Sequence, residues 1–249
     1  MTAPGWLTAR PIAHRGLHDR AANRPENSVA AALAAVEAGY GIECDIQLAA
    51  DGEAVVFHDF ALERLTEGSG RVVDRTASEL GRLTLAGSPE RISALSDFLD
   101  AIGGRVPVVI EVKSRFDGDE RLTRRAVEVL AGRTAPIALK SFDPEIVSLL
   151  RRIAPAVPLG IVAQSAYEEG EWARLDPARR RAMANLLHWS DTQPDFLSWH
   201  HRDLPCGPPH LARILAGAPV MTWTVGSVEE ARRARLHADQ IVFEGFDPG

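Results

Sequence analysis

The sequence is poor in cysteine and has no long apolar run. Its two cysteines, Cys44 and Cys206, lie far apart and lack the short spacing of a zinc site, which argues against both a disulfide scaffold and a structural zinc. No eighteen apolar residues follow one another, and the first residues lack a basic segment followed by an apolar one. We therefore expect a cytoplasmic protein with neither an export signal nor a stable membrane anchor.

Positive charge is not in excess either. Lys and Arg number 28 against 34 Asp and Glu, which gives a formal net charge of −6 at pH 7. This balance offers no electrostatic basis for binding nucleic acid or an anionic membrane, so partners of those two kinds are disfavoured. The 249 residues are 45% hydrophobic and 25% charged, as is typical of a soluble globular protein, and we expect one domain over 1–249.

Segments of strand length alternate with helical segments along the chain. The near-continuous apolar run at 106–112 is typical of a parallel strand that is covered on both faces. If 55–58 is treated as an arm of the loop after the second strand, the pattern predicts eight strands, which favours a (β/α)8 TIM barrel. An open doubly wound sheet is the alternative, but H-R-G at 14–16 is not a dinucleotide-binding fingerprint.

Two departures from a regular barrel are expected. Residues 60–104 contain short turn-rich pieces and are predicted to form a small insertion, which ends in a helix that Ser93 can cap. The last predicted strand, 240–243, is followed by only six residues, so the eighth helix is truncated. The insertion, residues before Pro11 or a neighbouring subunit must then cover the barrel there, which leaves a homo-oligomer open.

The segment 41–59 carries the most informative polar pattern. Two short strands meet at Asp51-Gly52, a strong hairpin signal because this dipeptide tolerates positive φ. Alternation on the first strand puts Glu43 and Asp45 on one face, about 7 Å apart. A hard divalent cation would stabilise two such carboxylates if they are buried. A solvated strand face is the alternative, but the apolar second strand, which ends at His58, argues against it.

The carboxyl ends of barrel strands meet at one mouth, where several strands contribute to a site. The residues predicted at those ends are His14, Arg15, Glu43, Asp45, His58, Glu111, Lys113, Lys140, Trp199, His200, Trp223 and Glu244. Glu111 adds a third carboxylate, and three carboxylates suit Mg²⁺ or Ca²⁺, which prefer oxygen ligands. The two histidines His14 and His58 suit proton transfer near neutral pH. A structural ion pair between Glu111 and Lys113 is the alternative interpretation of that strand.

Seven strings of the chain, taken in order, resemble the glycerophosphodiester phosphodiesterase family, whose members are phospholipase C-like phosphodiesterase barrels. These strings are I-A-H-R-G, R-P-E-N-S, I-E-C-D-I-Q-L-A-A-D-G, V-V-F-H-D, V-I-E-V-K, K-S-F-D-P and M-T-W-T-V, and the match runs from Ile12 to about Asp239. The resemblance implies a metal-dependent barrel that hydrolyses glycerophosphodiesters to glycerol phosphate and an alcohol.

The resemblance also implies roles for individual residues. The metal ligands that it implies are Glu43, Asp45 and Glu111. The acid and base are His14 and His58, and the phosphate contacts are Arg15 and, in the same site, Lys113. Trp223 would pack on the glycerol or alcohol moiety. Glu26 falls near the metal, and Asn27 fits as the cap of the first helix, a position that Ser28 could also take.

Two positions depart from the family pattern on the mouth side. Lys140 stands where many members have a serine, and the last strand reads I-V-F-E-G-F rather than ending in an acid or threonine followed by Arg-Pro. We expect Lys140 to contact the substrate. We expect these two departures to affect the preference for the leaving group more than the type of reaction.

Two other functions are weighed against this one. A lipid-directed phospholipase of the C or D type would need an apolar or basic patch for a membrane, which the net negative charge disfavours. A non-catalytic barrel that binds phosphate-bearing ligands would need no acid-base pair. Other aromatic residues, Trp6, Trp172 and Trp189, are expected to pack in helices or loops rather than on the substrate.

Overall fold

A computed structural model of the protein describes residues 3–249. The strands are β1 Ile12–Ala13, β2 Gly41–Leu48, β3 Ala54–Val56, β4 Val108–Val112, β5 Ile137–Ser141, β6 Leu159–Ala163, β7 Phe196–His200, β8 Val220–Val225 and β9 Gln240–Phe243. The α-helices are α1 Val29–Ala38, α2 Ala77–Leu80, α3 Leu95–Ile102, α4 Arg121–Leu130, α5 Pro144–Ile153, α6 Pro177–Ala184, α7 Trp189–Thr192, α8 Gly207–Leu215 and α9 Val228–Ala234. Among these helices, none is long and apolar enough to cross a membrane.

Eight of the strands close into a parallel barrel. The short strand β1 pairs with both β2 and β9, through Ile12 opposite Gly41 and Val242, and the remaining strands pair in chain order from β4 to β9. The strand β3 is the exception, since it lies antiparallel to β2 as the arm of a hairpin. The predicted (β/α)8 barrel is confirmed, and the open doubly wound sheet is wrong because β1 joins the two edges.

Alternation along each strand separates two apolar layers. On β2, Ile42, Cys44 and Ile46 belong to the outer core beneath the helices, so Glu43 and Asp45 face the barrel interior. At the amino-terminal end of the barrel the interior is filled by a smaller apolar cluster. Its members are Leu7, Ile12, Val109, Ala138, Phe196, Met221 and Val242. This cluster closes the barrel below the polar residues.

One glycine is required for this closure. The ring of Phe196 packs directly against Gly160 on the neighbouring strand. A Cβ at residue 160 would lie 2.4 Å from two atoms of that ring. Such a distance is far inside van der Waals contact. The two neighbouring strands β6 and β7 therefore fit together only because residue 160 has no side chain.

The insertion after the hairpin has its own small core. Its buried apolar residues are Ala49, Val55, Phe57, Leu62, Leu65, Val72, Leu80, Leu85 and Ile92. The helix α3, at the end of this region, packs instead into the main barrel core through Phe98 and Leu99. The prediction that Ser93 caps α3 is wrong: the helix begins after Ala94 without a side-chain cap, because the carbonyl of Ser93 accepts from Val56 on the arm.

The barrel lacks a helix over residues 244–249, in agreement with the predicted truncation. The outer side of β9 is covered by aromatic rings, since Tyr40 and Phe246 pack edge-on against Phe243 at centroid distances of 5.0 and 5.7 Å. The segment before Pro11 forms a 3-10 turn, Gly5–Leu7, at the amino-terminal end of the barrel. In the described structure, Tyr40 and Phe246 thus both pack against Phe243 of β9.

Candidate active site

Three buried carboxylates meet inside the barrel mouth. Adjacent strands β2 and β4 are in a register that sets Asp45 beside Glu111, and Glu43 lies two residues before Asp45 on the same face. One oxygen from each of the three carboxylates lies within 4.8 Å of the others. Each of these residues is at most 5% exposed. The structure therefore brings these three carboxylates together at the mouth.

Two lysines lie among these carboxylates. Lys113 Nζ is 2.9 Å from Asp45 Oδ1 and 2.6 Å from Glu111 Oε1. Lys140 Nζ is 2.9 Å from Glu43 Oε1 and 3.4 Å from Glu111 Oε2. These two residues are the only lysines in the sequence, and the other residues counted under Lys and Arg are all arginines. A compact ammonium, rather than a guanidinium, is therefore placed selectively at this cluster.

Charge compensation keeps these groups ionised despite their burial. Burial alone would raise the pKa of Asp45, but Lys113, His58 and Arg15 hold it well below its usual value. Burial likewise opposes ionisation of Glu111, whose pKa is nevertheless lowered by Lys113 and Lys140. In turn, burial would lower the pKa of Lys140, and the nearby Glu43 and Glu111 raise it. The cluster is a set of alternating opposite charges.

The donor set fits a hard divalent cation. All three ligand candidates supply carboxylate oxygen, the ligand type that Mg²⁺ and Ca²⁺ prefer, and none supplies sulfur or nitrogen. Glu43, Asp45 and Glu111 would hold the ion. The oxygens now contacted by the lysines keep further lone pairs, so an ion would compete with the two ammonium groups for the same carboxylates.

Arg15 reaches the same cluster from the loop after β1. Its backbone φ of 54° lies in the left-handed region, and the backbone N–H donates to Glu43 Oε2 at 3.2 Å. Its side chain is fixed by Glu26, with 2.6 Å between Nη1 and Oε1. Nε lies 3.2 Å from Asp45 Oδ2 as an ion pair but is buried without a hydrogen-bond acceptor in the described structure. That donor suits a phosphate oxygen.

The glycine that follows Arg15 is required by close packing. Gly16 has a φ of 79°, and a Cβ there would lie 2.8 Å from the carbonyl carbon of Ala31 in α1. A side chain would therefore push the loop away from the first helix. The close contact between the loop and α1 thus requires glycine directly after His14 and Arg15. The same contact holds these two residues at the mouth.

His14 is held by a carboxylate on the last strand's loop. Its Nδ1 lies 2.7 Å from Glu244 Oε2, and its Nε2 lies 4.0 Å from Glu43 Oε2. His18 Nε2 contacts the same Glu244 oxygen at 3.4 Å. Hydrogen bonds from both histidines lower the pKa of Glu244. The bond to Nδ1 turns Nε2 of His14 toward the carboxylate cluster.

His58 has a similar partner. Its Nδ1 lies 2.6 Å from Asp59 Oδ1, and Arg64 binds both Asp59 and Glu26. Burial is outweighed by the hydrogen bonds from Arg64 and by the charge of Arg15, which lower the pKa of Glu26 to about 2. Arg64 thus ties the His58 side of the mouth to the Arg15 side.

Asn27 does not cap the first helix, so that expectation is wrong. Ser28 is the cap, and its hydroxyl accepts from Ala31 N–H. Asn27, with a φ of 58°, instead donates from Nδ2 to Asp45 Oδ2 at 3.0 Å and accepts from the Asp45 N–H at 3.1 Å. It orients Asp45, because the turn before α1 lies directly over β2.

A cavity of about 400 Å³ opens beside the cluster. It extends from His58, Glu111 and Lys113 to a group of rings that includes the predicted Trp223. The other aromatic rings lining it are Phe60, Phe116, Phe142 and Trp172. Trp172 packs in the 3-10 segment Gly170–Arg174, as expected, and it also lines this cavity. Phe142 directly follows β5, so its position at a strand end could have indicated that it lies at the mouth. Phe116 and Trp172 lie in the connections between strands, where no sequence signal marks a cavity residue.

A closed parallel barrel with carboxylates, histidines and lysines at its mouth is the arrangement of a barrel enzyme that acts on phosphate compounds. The sequence model of the glycerophosphoryl diester phosphodiesterase family matches residues 14–242. The chain is 35% identical over 170 residues to a glycerophosphodiester phosphodiesterase of Caldanaerobacter subterraneus, covering 64% of this chain and 68% of that protein. The chain therefore belongs to the glycerophosphodiester phosphodiesterase family.

Other similar proteins agree with this assignment. Glycerophosphodiester phosphodiesterase 1 of Rattus norvegicus is 34% identical over 259 aligned positions, covering 91% of this chain and 74% of that protein. Among solved structures, a phosphodiesterase of Oleispira antarctica in complex with the product sn-glycerol-3-phosphate has a TM-score of 0.77 at 23% identity, covering 94% of this chain and 92% of that one. The structural match confirms the fold.

Proposed function

We propose that the chain hydrolyses glycerophosphodiesters to glycerol phosphate and an alcohol, aided by one divalent cation, Mg²⁺ or Ca²⁺. The observation that carries the proposal is the meeting of three carboxylates with two carboxylate-bound histidines at one barrel mouth. The names of the related enzymes support the substrate class, and the glycerol phosphate held by the Oleispira antarctica protein supports the product. A cytoplasmic, single-domain enzyme over 1–249 is part of the proposal.

Neutralising the phosphodiester is the first task of the proposed site. The substrate is an anion that repels nucleophiles, so its non-bridging oxygens need cationic partners. Arg15, with its unused Nε, and the ammonium groups of Lys113 and Lys140 are the candidates. The cation, held by Glu43, Asp45 and Glu111, supplies Lewis-acid polarisation of the phosphate when bound.

Proton transfer is the second task. The attacking hydroxyl group belongs either to water or to the glycerol 2-position, in which case a cyclic phosphate forms and water opens it in a second step. One histidine accepts the proton of the attacking group as its oxygen bonds to phosphorus, while the bond from phosphorus to the leaving alcohol breaks and the other histidine gives that oxygen a proton. We assign the acid role to His58, because it lines the cavity with the aromatic rings. His14, beside Arg15, is the base. Glu244 and Asp59 orient the two rings through Nδ1.

Phosphorus and proton NMR of the purified protein with glycerophosphocholine test the proposal. We expect glycerol phosphate and free choline to accumulate with Mg²⁺ or Ca²⁺, to stop with a chelator, and to resume when the ion is restored. Choline phosphate and glycerol as products would place the broken bond on the other side of phosphorus. No turnover of any glycerophosphodiester with any divalent ion would contradict the proposal.

A further inference from the structure

The cavity beside the carboxylate cluster has two chemically different ends. One end is formed by His58, Glu111 and Lys113, which are charged or titratable. The other end, here called the aromatic pocket, is formed by Phe116, Phe142, Trp172 and Trp223. If the phosphate lies at the charged end, one ester group of the substrate extends into the aromatic pocket. The chemistry of that pocket therefore selects the group.

The rings of the aromatic pocket are inclined to each other rather than stacked. Phe142 lies 4.7 Å from Trp172 at 45° and 5.5 Å from Trp223 at 86°, measured between ring centroids and planes. Phe116 meets Trp172 edge-on at 5.9 Å, and the buried Tyr167 supports Trp172 from another side at 5.3 Å. These four rings and Tyr167 therefore form one aromatic group, of which Phe116, Phe142, Trp172 and Trp223 line the cavity.

Four side chains that line this part of the cavity each already donate a hydrogen bond within the protein. Trp223 Nε1 donates to the Ser198 carbonyl at 2.8 Å. The hydroxyl of Ser114 donates to Asp143, and that of Ser141 donates to the Val112 carbonyl. The Gln164 amide donates to the Ala166 carbonyl at 2.6 Å. A polyol entering the pocket would have to share donors and acceptors that already hold a hydrogen bond, so its hydroxyl groups gain little there over their bonds to water.

The carboxylates that line the cavity are also paired. Asp59 binds His58 and Arg64, and Glu111 binds the two lysines. A primary ammonium group, which donates up to three hydrogen bonds, would compete for these carboxylates with the cationic partners that already hold them. A cation that donates no hydrogen bond does not need to compete for them.

We propose that the aromatic pocket binds the leaving alcohol and selects one that carries a quaternary ammonium group; this rests on the proposed diester hydrolysis. Such a cation is attracted by the negative faces of aromatic rings and needs no hydrogen-bond partner. Guanidinium groups already use this attraction nearby, with Arg179 5.0 Å above the Phe116 ring and Arg115 4.7 Å above Phe60. Phe142, Trp172 and Trp223 remain for the cation of the substrate.

The charge of the leaving group can be tested apart from its shape. We compare kcat/KM for glycerophosphocholine with that for its neutral isostere, in which carbon replaces the choline nitrogen, and for glycerophosphoethanolamine. We expect the choline ester to exceed both by about 10-fold. Equal values for the choline ester and the isostere, or a preference for the ethanolamine ester, would overturn the inference. Loss of turnover for every diester would instead overturn the proposed function.

Variants of the aromatic pocket test whether its rings cause the preference for the choline ester. Trp172→Leu and Phe142→Leu should each lower kcat/KM for glycerophosphocholine by about 10-fold, mainly through KM, while changing that for the neutral isostere much less. Trp6→Leu, at the opposite end of the barrel, is the matched control. Quenching of tryptophan fluorescence by choline alone gives a readout without turnover. Equal losses on both substrates, or unchanged choline binding in both pocket variants, would contradict the assignment.

Discussion

His14 and Glu244 are joined by a 2.7 Å contact between Nδ1 and Oε2, although they stand 230 residues apart in the chain. The contact exists because β1 and β9 are neighbours in the closed barrel. It fixes which ring nitrogen of His14 faces the carboxylate cluster. An acid directly after the last strand therefore positions a histidine directly after the first strand.

Replacing this acid tests its positioning role. We expect Glu244→Gln to lower kcat by about 10-fold or more with little change in KM, because the ring is no longer held by a charged acceptor. The same substitution in a His14→Ala background should have almost no further effect, since its partner is gone. Independent, multiplicative losses would show that Glu244 acts through something other than His14. Asp247, which binds Tyr40 at the surface, supplies the control Asp247→Asn.

Lys140 should weaken binding of the divalent cation. Its ammonium lies between Glu43 and Glu111, so an incoming ion meets a fixed positive charge. We expect Lys140→Met to bind Mg²⁺ or Ca²⁺ at least about 10-fold more tightly in calorimetry. Arg151→Met, which removes an ion pair with Asp195 on another part of the barrel, should leave this affinity unchanged.

The chain's lysine content gives a second measurement of the same competition. With lysine isotopically labelled at Cε, the protein should show only two side-chain signals, from Lys113 and Lys140. Both signals should move when the ion is added. Unmoved signals together with unaltered affinity in Lys140→Met would contradict competition between ammonium and metal.

His188 should make the fold sensitive to mild acid. Burial disfavours its charged form and lowers its pKa from 6.5 to about 4, and its Nε2 is buried without a partner in the described structure. The unfolded chain therefore binds a proton that the folded chain does not, and stability falls as pH drops from 6.5 toward 4. The loss reaches at most about 3 kcal/mol.

Denaturant unfolding of wild type and His188→Gln across this range checks the sign. The free energy of unfolding of the variant should depend less steeply on pH between 6.5 and 4. Below that window the slopes should agree, because the Glu26 carboxylate, whose pKa is about 2, titrates in both proteins. Parallel curves throughout the window would show that His188 does not contribute.

The sequence predicted the barrel, and it also predicted which strand residues meet at its mouth, because position along a strand fixes where a side chain lies. Alternation fixes the direction of Glu43 and Asp45 once β2 is recognised, and position at a strand end places Glu111, Lys140 and Trp223 at the mouth. Loop residues carry no such rule. Trp172 reaches the cavity because the 3-10 segment Gly170–Arg174 folds over the mouth.

The cap of the first helix shows a second kind of limit. Asn27 and Ser28 are both good cap residues, and sequence preference cannot separate them. Tertiary contact decides, since Asn27 pairs with both the side chain and the backbone of Asp45. In the same way, the lysines were expected at the mouth, but their alternation with the carboxylates depends on strand register.

The central claim is that His58 and His14 act as acid and base on the diester. We measure His58→Ala and His14→Ala with glycerophosphocholine and with a p-nitrophenyl diester, whose leaving group needs no proton. His58→Ala should slow the natural substrate by about 10²-fold or more and the activated one far less, whereas His14→Ala should slow both. Equal losses on the two substrates for both variants would contradict an acid role for either histidine.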